Sequence, residues 1–254
     1  MTTLMGLVVG FGIGVGTSWF EYRWLTRFQQ GIHGTMVEQG RWPWLRSFVV
    51  STAMALVVAA LFYQYGLSVQ ACGYAALACI VAAATLTDLD ASVIPNRLVV
   101  AGIIFWVATT GFVSSPHSGF GIGSLLVPFF GQGVLAACVD GLLGAFVVAG
   151  CVMLVAVVTE QVTGKKALGG GDIKLLFVTG LYLGLVGSAC NLFLSCILGL
   201  FVSPIWKHSK KQHRQLPTQQ QPTHTFPFAP AIALATITTL LTGQSTIAYL
   251  LGLA

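Results

Sequence analysis

The sequence predicts an all-α fold, a polytopic membrane helix bundle of about eight transmembrane helices, and three observations carry that reading. Only 7% of the 254 residues are charged and 56% are hydrophobic, whereas a soluble domain carries about 25% charged residues. Apolar stretches of the roughly 20 residues needed to cross hydrocarbon recur along the whole chain. Finally, all 12 Lys and Arg residues fall in alternate connections between those stretches, the pattern that the positive-inside rule produces.

The apolar windows run over approximately 4–20, 47–65, 71–87, 98–114, 134–159, 173–188, 190–206 and 227–252. The first has no basic region before it and no small-residue cleavage site, so it reads as a retained helix and not as a signal peptide. Residues 21–46 hold Glu21, four arginines, Trp24, Trp42 and Trp44, a mix suited to an amphipathic segment at the headgroups. Residues 115–133 are Gly-rich and apolar and face outward. Residues 207–225 pass from Lys/His-rich to Gln/Thr/Pro-rich, which predicts a flexible cytoplasmic linker. The last window is long, and Gly243-Gln244-Ser245 is expected to break it or to let its end run along the interface. The chain thus divides into a first part, 1–70, and a six-helix core, 71–254.

Arg23, Arg27, Arg41, Arg46, Arg97, Lys165, Lys166, Lys174, Lys207, Lys210, Lys211 and Arg214 mark the cytoplasmic connections, and both termini are placed outside the cytoplasm. Their expected use is contact with anionic membrane lipid; no nucleic-acid partner is expected. The cysteines at 72, 79, 138, 151, 190 and 196 all lie in apolar stretches without a C-x-x-C pair, and read as small buried hydrophobes. The five histidines lie in connections and show no metal-ligand spacing. None stands inside a window, so no Ser-His or Cys-His arrangement can be argued.

Two acids carry the chemistry. Asp88 ends the third window, in Thr87-Asp88-Leu89-Asp90-Ala91-Ser92-Val93-Ile94-Pro95-Asn96, and Asp172 follows three glycines in Gly169-Gly170-Gly171-Asp172-Ile173-Lys174. A carboxylate at a bilayer edge is costly to keep charged and dry, which asks for a function. Asp172 could be a helix N-cap alone, but the glycines also let a peptide backbone approach closely. Lys174 stands against the dipole preference near a helix start, where it could pair with a carboxylate or the substrate, or simply snorkel. Ile94-Pro95-Asn96 predicts an extended turn that fixes Asp88. Asp90 is expected to be solvated or partnered with Arg97. Asp140 is expected in an N-terminal helix turn near the outer end of the fifth window, and Glu160 is a candidate for supporting the glycine loop.

The ordered pair of motifs, D-x-x-x-x-x-I-P-N and G-x-G-D-x-K, resembles the prepilin peptidases, the GxGD aspartic proteases that process type IV pilins and type II secretion pseudopilins. Gly10-Phe11-Gly12-Ile13 through Tyr22-Arg23 is similar to that family's first helix, and Phe226-Pro227-Phe228-Ala229-Pro230 to its last-helix signature, with alanine for the central glycine. The resemblance implies a GxGD fold with catalytic Asp88 and Asp172. Gly169, Gly170, Gly171, Lys174, Asp90, Pro95 and Asn96 would support the acids or bind substrate. Cleavage would remove the leaders of prepilin or pseudopilin helices after a glycine, on the cytoplasmic side of a bacterial inner membrane, with no metal. Many members carry two C-x-x-C pairs, thought to bind zinc, in the first cytoplasmic connection and also N-methylate the product with S-adenosylmethionine. Residues 21–46 contain no cysteine, so zinc is not expected, and S-adenosylmethionine enters only if the chain is bifunctional. Two other classes compete: an ion- or proton-coupled transporter using the same aspartates, and a noncatalytic assembly factor.

Overall fold

The computed structural model describes residues 8, 11, 12, 16, 43–91, 93–111, 134–164, 168–212 and 228–250, with the side chains of 43–47, 90–91, 202–212 and 243–250 left aside. Among the described residues all regular structure is helical: α1 Pro43–Tyr65, α2 Val69–Ala91, α3 Asn96–Thr110, α4 Val134–Leu143, α5 Ala149–Thr163, α6 Gly170–Gln212 and α7 Ala229–Leu250. Proline opens α1 at a position where its missing N–H costs nothing. Ser68 opens α2 by accepting the Ala71 N–H at 3.1 Å. Helices α4 and α5 are one rod, joined by the π-helical turn Gly144–Val148.

Four helical stretches are long and apolar enough to cross a membrane, Phe48–Tyr65, Val69–Leu89, Val134–Thr163 and Gly170–Phe201; α3 and the apolar part of α7 are shorter. The fourth stretch is not a straight rod. Gly184 has φ 68° and ψ −176°, and Asn191 Nδ2 lies 3.5 Å from Thr179 Oγ1. A continuous helix would hold residues twelve apart at about 18 Å, so α6 is two arms, 170–183 and 185–212, folded back at Gly184. The windows 173–188 and 190–206 placed this break five residues too late.

The elbow explains Asp140. It lies well inside α4, not in a first turn, and its Oδ1 accepts the N–H of Leu185 at 3.2 Å. It therefore caps the second arm of α6 from a neighbouring helix, which corrects the expected N-terminal role. A β-carbon at Gly184 would collide with the Asp140 carboxylate, and the positive φ independently favours glycine. The π turn nests in the elbow: a β-carbon on Gly144 would lie 2.7 Å from the Gly180 carbonyl oxygen. Small residues at such a crossing let backbones approach, as in other membrane bundles.

The interior is built from α2, α6 and α7, with Leu77, Val81, Leu175, Leu176, Val178, Ile232 and Leu240 nearly or fully buried. Phe48, Leu56, Ile104, Leu135, Leu154, Phe193 and Leu200 are all more than half exposed. An apolar exterior of that extent needs a cover, and lipid is the cover that the composition calls for. The cysteines share that exterior: Cys72, Cys151 and Cys196 are exposed and the other three half-buried. The expectation of buried thiols is corrected, because a surface facing hydrocarbon accepts a weakly polar thiol as readily as a core does.

Three other expectations meet the structure at their edges. Helix α6 runs six residues into the stretch expected as a linker, and the backbone of α7 stays helical through Gly243-Gln244-Ser245. Of the first window only residues 8, 11, 12 and 16 are described, all helical. Residues 21–42, 115–133 and 213–225 lie outside the described residues.

Candidate active site

Asp88 stands one turn before the end of α2. That helix carries it at the rim of an apolar window, and Thr87 beside it is buried with its hydroxyl turned back onto the carbonyls of Ala83 and Ala84. The Asp88 side chain is 8% exposed. Its carboxylate accepts the backbone N–H of Ala229, the first residue of α7. Thr85 Oγ1, 3.4 Å from the Ala229 carbonyl, tacks the same two helices together. An acid set at the amide end of a helix is favoured by the helix dipole.

Asp172 is the third residue of α6 and 7% exposed. Its own N–H donates to the Gly169 carbonyl at 3.1 Å, and its carboxylate accepts the Gly169 N–H. This is the reciprocal geometry of a capping box, with the acid three residues into the turn instead of at its cap. The N-cap reading was therefore right in kind and wrong in position. Capping occupies only part of the carboxylate. Asp172 Oδ1 and Asp88 Oδ2 are, among the described residues, the buried side-chain polar atoms with no protein hydrogen-bond partner. Buried unpaired oxygens are expensive and ask for an explanation. The two groups are close enough for the charge of Asp88 to act on Asp172.

The turn between α2 and α3 joins the motifs. Pro95, with φ −65° and ψ 132°, is the extended N-cap of α3, and its ring disfavours helical backbone at Ile94 before it. Ile94 packs on Gly171, where an added β-carbon would sit 3.2 Å from the Ile94 side chain. Across the same seam Lys174 Nζ donates to Asn96 Oδ1 at 2.8 Å, at the exposed edge. Lys174 thus meets an amide, not the carboxylate considered from the sequence. Gly170 is exposed with open space where a side chain would go. The side chain of Asp90 lies outside the described residues, and that of Glu160 is exposed.

Ala229 was missed as a site residue. Its signal was the Phe-Pro-Phe-Ala-Pro stretch, which reads only as a helix start until α7 is seen to deliver its first amide to Asp88. Pro230 has no N–H, and the amides of Ala231 and Ile232 both donate to the Phe228 carbonyl. The Ala229 amide is therefore the one at this helix start that is turned to the acid. In general, two carboxyl groups close enough to share a proton can hold and polarise a water molecule.

Residues 75–203, just over half of the chain, match the type IV leader peptidase family. A prepilin leader peptidase/N-methyltransferase from Xanthomonas campestris pv. campestris is 27% identical over 189 residues, which are 74% of this chain and 55% of that protein. Its namesake from Bacillus subtilis is 28% identical over 206 residues, 80% of this chain and 70% of the relative. A third, from Pseudomonas putida, is 29% identical over 154 residues, 61% of this chain and 46% of the relative. No solved structure matches the chain. The matched segment begins within α2 and contains both acids and the turn that packs between them; the chain belongs to the type IV leader peptidase family.

Proposed function

We propose that this protein is a membrane aspartic endopeptidase that removes the basic leaders of prepilins or pseudopilins, cutting after a glycine at the cytoplasmic membrane face. The observation that carries the reading is the pair Asp88 and Asp172, each buried with one oxygen held by a backbone amide and one unpaired. In the reaction one carboxylate takes a proton from water as the water oxygen bonds to the scissile carbonyl carbon. The other carboxyl, protonated because close carboxylates cannot both ionise, gives its proton to the developing oxyanion. Collapse of that intermediate breaks the C–N bond, and the amine leaves with a proton. Which acid starts protonated belongs to the pair.

The leader is short and basic and the segment behind it an apolar helix, so the substrate would lie among the spans with its scissile bond at the acids. The bundle would sit in a bacterial inner membrane with about eight spans and both termini outside the cytoplasm. Its cationic connections would rest on anionic lipid. The core 71–254 would hold the chemistry. A transporter built on the same acids has no support among the relatives.

Cleavage requires no metal in this scheme, and methyl transfer is assigned no residues: 21–46 offers no cysteine for a thiolate site. The deciding experiment incubates the purified protein, in detergent or nanodiscs, with a prepilin-type substrate, with and without a chelator. The expected products are the free leader and a processed helix with an unmodified N-terminus, in both cases. Loss of cleavage with the chelator would break the metal-free scheme. A product about 14 Da heavier, labelled from S-adenosylmethionine, would show a second activity. No cleavage at all would remove the peptidase reading.

A further inference from the structure

Asn191, on the second arm of α6, has no exposed surface. A carboxamide buried in a bundle interior is costly unless it is paired. Its Nδ2 donates to Thr179 Oγ1 at 3.5 Å, and its Oδ1 accepts from Thr236 Oγ1 at 3.4 Å. Both hydroxyls are fully buried: Thr179 donates its own proton to the Leu176 carbonyl at 3.0 Å, and Thr236 shares its single proton between the Ile232 carbonyl at 2.8 Å and Asn191 Oδ1. Asparagine is suited to this place because one rigid planar group offers a donor on one side and an acceptor on the other.

The register gives the bridge its meaning. Thr179 stands seven residues after Asp172, and Thr236 seven residues after Ala229. Seven residues are nearly two helical turns, so each threonine lies on the same helix face as the group it follows, about 10 Å along the axis. Asn191 therefore joins the arm that carries Asp172 to the helix whose first amide holds Asp88.

We propose that Asn191 is a positioning residue: by bridging Thr179 and Thr236 it sets the spacing between the first arm of α6 and α7, and through it the distance between Asp88 and Asp172. The inference rests on those two acids being the catalytic pair. The test compares the parent with Asn191→Leu, which keeps the number of side-chain heavy atoms and removes both bonds, and with the nearly isosteric Thr236→Val, which carries the same test should the first variant fail to accumulate. Asn191→Leu should lower kcat about ten- to a hundredfold, with KM and the melting temperature close to the parent's. Adding Thr179→Val should then cost nothing more, because the bridge is already gone. Additive losses, or a change confined to KM, would overturn the proposal.

A second measurement does not depend on activity. Spin labels at Gly170→Cys and Leu234→Cys, both at open positions, would be placed in a chain whose six native cysteines are replaced. Asn191→Leu should shift or broaden the distance between them. An unchanged distribution refutes the positioning role even if the parent cleaves. A parent that cleaves nothing refutes the peptidase reading instead, and leaves the distance to judge the bridge.

Discussion

Asp172 is held by the loop it belongs to, whereas Asp88 is held by a helix from the far end of the chain. The Asp172 carboxylate bonds Gly169, three residues away, in a turn that three glycines and a helix start build locally. Asp88 bonds the Ala229 amide, which reaches it only because α7 packs along α2 and starts beside it. The two acids are equally buried but differently dependent. The setting of Asp172 forms with its own turn, while that of Asp88 exists only once the whole bundle has closed. A fault in tertiary packing should therefore reach Asp88 first.

The largest effect expected removes the comparison altogether. Asp88→Asn and Asp172→Asn should each abolish leader cleavage, by at least about 1,000-fold, with the protein still inserting and accumulating; the double variant should be hardly worse, since the pair works as a unit. Near-parent cleavage by either one would take that acid out of the pair. Asp90→Asn should keep substantial activity, and a dead Asp90→Asn beside an active Asp88→Asn would exchange their roles.

Next in size is the deletion of the amide that holds Asp88. Ala229→Pro removes that N–H at the first position of a helix, where proline fits the backbone. A hydrogen bond to a charged group is worth about 1.5–3 kcal/mol, so kcat should fall roughly ten- to a hundredfold. Ala229→Gly, which keeps the amide, should not follow it. Equal losses in both variants would mean that the packing of α7, and not its amide, matters to Asp88.

The glycine run gives the matching experiment on the Asp172 side. Gly171→Ala puts a methyl 3.2 Å from the Ile94 side chain and should cost several-fold, restored in part by trimming Ile94 to alanine; Gly170→Ala meets open space and should be neutral. Cleavage assays across the two single variants and the rescue pair would check this. Equal damage at 170 and 171 would replace the seam between the motifs with a substrate contact at both positions.

How much of this could be read from residue order follows the same division. The extended turn at Ile94-Pro95-Asn96 and the acid-bearing helix start after Gly169 were legible, because proline and glycine act on their immediate neighbours. The fold-back of α6 was legible as a break between the windows 173–188 and 190–206, but its place at Gly184 was not, since 173–206 reads as an almost unbroken apolar run. What breaks it is an amide capped by Asp140 from another helix. The Ala229 contact was hidden for the same reason: a backbone N–H carries no signature in its own residue name. The cysteines went astray by a different route, because lipid and protein interior pose nearly the same solvent problem to a thiol.

The smallest effect expected concerns a side-chain bond that crosses from the Asp88 turn to the Asp172 turn. Lys174 Nζ donates to Asn96 Oδ1 at 2.8 Å, but at an exposed edge where water competes for both partners. A net contribution of about 0.5–1.5 kcal/mol is the ceiling for such a bond, so Asn96→Ala should cost at most roughly tenfold in kcat. Lys174→Ala should cost the same if the lysine acts through Asn96, and the double variant should then be no worse than either single one. A much larger loss in Lys174→Ala alone, with KM raised, would show the ammonium meeting substrate directly. In that case the two turns are held together by the Ile94–Gly171 packing, and Asn96 serves only to park the lysine between turnovers.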